Sequence, residues 1–324
     1  MQQNMKHIIF LILIIFVIGC KKPDDAKYDI IITDTPANLG KLNSKYDDYN
    51  SDLPYPHQRM DIFFSSNRNS KGNNFDIVAG KMDFSYHSEE NILNVNIPDD
   101  EAPSPSKLIF PKINSTKDEF GPYTYYSGND LIFMYATSLN DIFSINFVEY
   151  TNWNFSNNNN VSNSIKIAKI NDLGDNLYPS IDFGNKELYF CSNRNSNVFN
   201  IYTAKYSSEI NKQLLISENN IEINKNTILS SVYNDKCPYV KDSVIVFTST
   251  RDGGFGGYDL WYSIYKDNSW GSPVNFGNKI NSEYDEYRPV FFQVIGFDLM
   301  IFSSNRPGMG GFDLYIVKIS ISKT

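Results

Sequence analysis

The sequence predicts an all-β fold, a five-bladed β-propeller of four-stranded antiparallel blades, and three observations carry that prediction. The first is a repeated phrase: IFFSSNR ending at Arg68, LYFCSNR at Arg194, IVFTSTR at Arg251 and MIFSSNR at Arg306. Self-similarity at a fixed period specifies an architecture before any local pattern does. The aromatic registers Phe190, Phe247 and Phe302 lie 57 and 55 residues apart, and the 126 residues from Phe64 to Phe190 are twice 63. A worn copy, LIFMYATSLNDIF around Phe133, fills that gap; it keeps two apolar stretches and Asp141 but has neither the Arg nor the glycines. The second observation is an acidic loop leading to a Pro, as in NFGNKINSEYDEYRPV from Asn275, FPKINSTKDEFGPY from Phe110 and IAKINDLGDNLYPS from Ile167. A Pro at the start of a strand costs no ladder hydrogen bond, so it marks a new strand. The third is period-two alternation of aromatic and β-branched residues, as in DLWYSIY from Asp259, with no helical spacing outside the N-terminus.

Taken in order, residues 1–19 read as a signal peptide: one Lys and a His precede an apolar run from Ile8 to Ile18, shorter than the roughly 18 residues a membrane span wants. The run ends in VIGC, which resembles a lipobox and implies lipidation of Cys20; acyl-probe labelling that survives Cys20→Ser would exclude it. Residues 20–27 form a lipidated tether, and 28–324 form one propeller domain. ANLGKLNSKYDDYNSDLPYP, from Ala37 to Pro56, copies the fourth-strand-to-loop signal ahead of the first hairpin, while the last repeat ends in its third strand. Tyr28 to Leu42 is therefore expected to supply the outer strand of the final blade and seal the ring.

SSNR, a Gly-rich loop such as DGGFGGYDLW after Arg251, aromatic-Asp-Leu-Tyr or Trp, and a preceding acidic-x-x-Pro loop resemble the WD40-like repeat of TolB-type β-propellers. That resemblance implies an envelope protein of diderm bacteria. It implies fold strongly and function weakly, because propellers host binding, scaffolding and hydrolysis alike.

Arg68 to Asp76, Arg251 to Asp259 and Arg306 to Asp313 are 8, 8 and 7 residues apart, and Arg194 meets Asn200 after 6. The spacing places each pair at the shoulders of one hairpin, as a structural latch. Acidic residues recur before each Pro: Asp47 and Asp48, Asp118 and Glu119, Asp172 and Asp175, Asp235, and Asp285 with Glu286. Both sets crowd one mouth of the ring. There the carboxylates either pair with a neighbouring blade's Arg to make the seam, or form a surplus ring suited to a cation or a basic partner segment. Trp261, Tyr262, Tyr265, Trp270 and Trp153 read as packing between blades. His57 and His87 are the only histidines after the signal segment and sit far apart in the repeat scheme, so no zinc site or Ser-His-Asp triad is indicated. Cys191 and Cys237 are read as small buried hydrophobes, with a disulfide between adjacent blades left open.

A formal net charge of −8 argues against nucleic acid and against adhesion to anionic lipid. The expectation is then a non-enzymatic, lipid-anchored interaction scaffold at the outer membrane, with an envelope protein as partner and no cofactor. The alternatives are a glycan-binding module and a five-bladed carbohydrate-active enzyme. The enzyme would need two or three carboxylates at the inner strands, with ring symmetry broken around a pocket.

Overall fold

A computed structural model describes residues 29–99, 104–152, 160–217 and 221–321. The signal segment, Cys20 and its tether, Trp153 and most of the 157–160 Asn run lie outside them.

Five antiparallel sheets stand around one axis, each contributed by one repeat. The innermost strands are Asp48–Asp52, Glu119–Ser127, Asn176–Asp182, Asp235–Lys241 and Glu286–Val294, and the second strands Arg59–Ser66, Asp130–Leu139, Glu187–Ser192, Val244–Ser249 and Phe297–Ser304 carry the repeated phrase. Third strands follow at Asp76–His87, Ile142–Thr151, Asn200–Lys205, Asp259–Lys266 and Asp313–Lys318. Burial explains the phrase: Phe64, Phe190, Phe247 and Phe302 are at most 1% exposed. Each such side chain taken out of water contributes about 1.5–3 kcal/mol.

The ring closes through the N-terminal segment, which is divided between two blades. Ala37 and Asn38 pair with Ile316 and Tyr315 to complete blade five. Ile30 and Ile31 instead pair with Val95 and Asn94 and add a fifth strand to blade one. Lys318 N donates to Thr33 O at 2.7 Å, so the two ends of the chain are held over the intervening residues as well.

Two further features differ from the sequence expectation. Helices occupy Ser104–Ile113 and Lys212–Ser217. Ile109 and Ile113 of the first helix are buried with Phe63 and Phe133 between blades one and two, so packing rather than propensity sustains it. In blade two, Glu119 pairs with Thr137 as Asp48 pairs with Ser66. Tyr135, not Phe133, is therefore the counterpart of Phe64, and the Arg position falls on Leu139. The cause is the turn: Asn140 and Asp141 both have positive φ (53° and 62°) and close a two-residue hairpin between Leu139 and Ile142. That turn chemistry replaces the long Gly loop, so neither its glycines nor its Arg is needed.

Every innermost strand carries a bulge at the same place, with left-handed residues Asn50, Gly121, Tyr178, Cys237 and Arg288 (φ 59°, 57°, 57°, 54° and 49°). A register shift against the second strand accompanies each one. The extra residue bends the strand, so that successive side chains such as Leu177 and Tyr178 both reach one axial cavity.

Candidate functional site: the axial funnel

The repeated Ser, Asn and Arg each hold a different part of the mouth. Arg68, Arg251 and Arg306 pair with Asp48, Asp235 and Glu286 at 2.5, 2.5 and 2.7 Å, and all three carboxylates are fully buried. These are first-strand residues, not the Asp76, Asp259 and Asp313 that the hairpin spacing suggested. Arg194 likewise donates to Asn176 Oδ1 at 2.8 Å rather than to Asn200. The latch spans two strands because each guanidinium lies over its own blade's second-strand ring (Phe64, Phe190, Phe247 or Phe302, 4.9–5.4 Å) and donates to the carbonyl of Leu42, Ile170, Leu229 or Ile280. Asp259 and Asp313 instead cap the Gly loops, accepting from Phe255 N and Met309 N at 2.6 Å each. Asp76 accepts from Asn69 Nδ2 at 3.0 Å.

One residue of each acidic pair, the one just before the inner strand, makes the seam, though with backbone rather than with a neighbour's Arg. Phe75 N, Phe143 N, Tyr258 N and Phe312 N donate across the blade boundary to Asp118, Asp175, Asp285 and Asp47 at 2.8–2.9 Å. Asn234 takes the same role for Phe199 N at 3.0 Å. The Asn of the repeated phrase locks the acceptor: Asn67, Asn193 and Asn305 donate through Nδ2 to Asp47, Asp175 and Asp285. Glycine permits the close approach, since a Cβ on Gly257 or Gly311 would sit 2.2 Å from Asp285 or Asp47 Oδ1. In the 252–259 loop only Gly253 (φ +89°) needs positive φ, so crowding rather than turn geometry explains its other glycines. Of the acidic residues expected to offer surplus charge, Asp48, Glu119, Asp235 and Glu286 are 0% exposed. Asp47, Asp118, Asp175 and Asp285 are half-buried acceptors, and Asp172 alone is exposed. The mouth therefore presents no ring of free carboxylate among the described residues.

Glu119 is the carboxylate whose blade lacks the Arg. Ser115 N and Oγ and Thr137 Oγ1 donate to it, yet burial outweighs them and pushes its carboxyl from 4.5 up to about 7. The folded state thus holds this proton more tightly than the unfolded chain does. Its stabilising contribution is complete below about 4.5 and is lost as pH rises through about 7. Glu119→Gln should therefore gain on the wild type in thermal unfolding as pH is raised across that window; a difference independent of pH would show the carboxylate ionised throughout.

Inside the seam the five blades enclose a cavity of about 520 Å³. Tyr49, Phe120, Leu177, Lys236 and Tyr287 come from the innermost strands, and Phe143, Phe199, Tyr258 and Phe312 from the seam. Tyr258 and Tyr287 meet edge to face at 5.1 Å, and Tyr49 and Phe312 stack at 5.5 Å. Asp175 and Asp285 are its carboxylates. Beneath lies Arg288, fully buried, which crosses to blade two to donate to Pro122 O at 3.0 Å and lies 5.5 Å from the Tyr178 ring centre. Buried Asp52, one layer further along the axis, accepts from Thr124 N and Oγ1; burial pushes it up to about 6. The sequence reading missed both Lys236 and Arg288. Their signal was the two positions before each Pro, where the residue type changes from blade to blade: Arg288 stands just before Pro289 and Lys236 two residues before Pro238.

The other candidates sit elsewhere. Cys191 and Cys237 are free, buried thiols packed with Tyr178 and Tyr287. Burial pushes Cys191 up to about 11, which leaves an inert thiol. Trp270 donates to Tyr189 Oη of blade three at 3.0 Å, and Trp261 lies against Arg251. His57 lines a separate cleft of about 300 Å³ beside Tyr55. A cavity of about 700 Å³ at the opposite mouth draws its walls from blades one to four only. Among the described residues no group of three or more His, Cys, Asp or Glu side chains could hold a metal ion.

No protein-family model matches the chain, and no curated protein matches it. Solved structures do. The β-xylosidase RS223 is 11% identical with a TM-score of 0.54, over 89% of this chain and 95% of its own. A thermostable family-43 glycoside hydrolase is 12% identical with a TM-score of 0.52, over 85% and 90%. An exo-1,5-α-L-arabinanase from a bovine ruminal metagenomic library is 10% identical with a TM-score of 0.51, over 87% and 96%. At such identity the likeness establishes the five-bladed fold. It also corrects two expectations: these neighbours are glycoside hydrolases rather than TolB-type propellers, and they overturn the reading of a non-enzymatic interaction scaffold.

Proposed function

We propose that this chain is a carbohydrate-active protein that takes a saccharide into the axial funnel, where Asp175 and Asp285 are the carboxylates that would face a bound glycosidic bond. The observation that carries this reading is the funnel itself, a concave site of about 520 Å³ with aromatic walls and two carboxylates. Aromatic faces pack against the C–H faces of sugar rings, and a few fixed polar groups orient the ligand. Glycoside hydrolysis ordinarily needs a pair of carboxyl groups, one as acid and one as base or nucleophile. The glycoside hydrolases that share the fold support the same substrate class. Incubation with xylan, arabinan and a wider polysaccharide panel should release reducing ends, and Asp175→Asn or Asp285→Asn should lower the rate by about 10²-fold or more. Neither release nor retention of any saccharide would overturn the proposal.

One observation favours a second reading, saccharide binding without cleavage. Both oxygens of each carboxylate already accept from the scaffold: Asp175 from Phe143 N and Asn193 Nδ2, Asp285 from Tyr258 N and Asn305 Nδ2. Carboxylates so held are fixed in position with their oxygens already engaged, which suits orientation of hydroxyl groups better than proton transfer. Affinity for a saccharide with no product formed over long incubation would decide for it.

A further inference from the structure

At the funnel-lining position next to the first residue of each innermost strand, four blades place Tyr49, Phe120, Leu177 and Tyr287, and the fifth places Lys236. Packing alone does not call for an ammonium there, since the other blades fill the position with apolar surface. Its Nζ lies 4.1 Å from the Phe199 ring centre and 5.6 Å from that of Tyr258. No ion pair or hydrogen bond joins it to another described residue. Asp175 and Asp285, the carboxylates of the same cavity, are occupied by the seam. The funnel therefore holds one half-buried cation against aromatic faces, with no direct counter-ion among the described residues.

We propose that the funnel is selective for an anionic saccharide, a uronic-acid-containing chain whose carboxylate is bound by Lys236 Nζ while a sugar ring packs on Tyr258 or Tyr287. This rests on the saccharide reading above. A charge-assisted N–H···O contact in a site partly shielded from water is roughly twice as strong as a neutral hydrogen bond. A neutral sugar leaves the ammonium without an anionic partner and forfeits that gain. Lys presents a point charge rather than a fork, so one carboxylate oxygen is enough to satisfy it.

The test is calorimetric titration of the wild-type chain, Lys236→Met and Lys236→Gln with trigalacturonate, the neutral galactotriose and a sulfated galactotriose, melting curves confirming that each variant is folded. The wild type should bind trigalacturonate about tenfold or more tightly than galactotriose, a difference that shrinks as salt rises. Both variants should lose that preference while keeping their affinity for galactotriose. Equal binding of the two sugars by the wild type, or a preference that survives in both variants, overturns the inference and leaves the saccharide reading standing. Tighter binding of the sulfated sugar than of the uronate overturns the carboxylate assignment. Binding of none of the three by the folded wild type, together with failure on the wider polysaccharide panel, overturns both readings. Should a variant not fold, the other variant and the wild-type salt dependence still decide.

Discussion

A chain beginning at Asn43 is expected to aggregate, or to melt far below one beginning at Lys27. The missing segment holds Ile32, Leu39 and Leu42, which are 4%, 0% and 4% exposed. Removing three such side chains forfeits about 1.5–3 kcal/mol each, out of a total stability that is typically about 5–15 kcal/mol. The loss extends beyond the core. Without Ala37 and Asn38, the strand Asp313–Lys318 becomes a bare edge, and Leu314 O and Asp313 lose Leu39 N and Asn38 Nδ2 as donors. An unpaired edge next to exposed apolar surface templates association with other chains. Thermal unfolding followed by circular dichroism, with gel filtration of the same samples, checks this; matching melting temperatures and a monomeric short chain would show that the ring does not depend on its N-terminal strand.

Replacing Arg251 or Arg306 by Ala should cost about 3–5 kcal/mol, because each leaves a fully buried carboxylate without its cation. The group abandoned is Asp235 or Glu286, not the loop residue Asp259 or Asp313. Arg194→Ala should cost less, about 1–2 kcal/mol, since its partner Asn176 is neutral and no charge is stranded. Denaturant unfolding of the three variants should therefore place Arg194→Ala well apart from the other two, and Arg251→Ala combined with Asp235→Asn should recover part of the loss. Equal losses in all three would assign the effect to the shared stacking on Phe190, Phe247 and Phe302 rather than to charge.

The repeat was legible because each blade solves the same problem with the same residues. Burial of the second-strand aromatic and capping of the Gly loop by Asp259 or Asp313 are local events, as is the Pro that follows the bulge, three residues into four of the inner strands rather than at their start (Pro122, Pro179, Pro238 and Pro289), and local events leave fixed spacings in a sequence. Blade two was read two residues out of register, because its Asn140-Asp141 turn removed the Gly loop that marked the others. The helix at Ser104–Ile113 was missed because its buried face depends on Phe63 and Phe133, which the chain brings together from two blades.

What the amino-acid order determined by itself was the number of blades, the strands within them and the closing role of the N-terminal segment, since period, alternation and turn residues all act within one repeat. What only the tertiary structure decided was which side chains pair, within a blade and between blades. The spacing of Arg251 and Asp259 suggested a bond across one hairpin, but the guanidinium turns to Asp235, where a buried carboxylate and the carbonyl of Leu229 lie together. Nor could spacing show that Asp175 and Asp285 serve neighbouring backbone N–H groups, or that Lys236 and Arg288 reach the axis. Those positions depend on bulges repeated in five strands and on the convergence of five blades, and convergence is a property of the closed ring rather than of any segment in it.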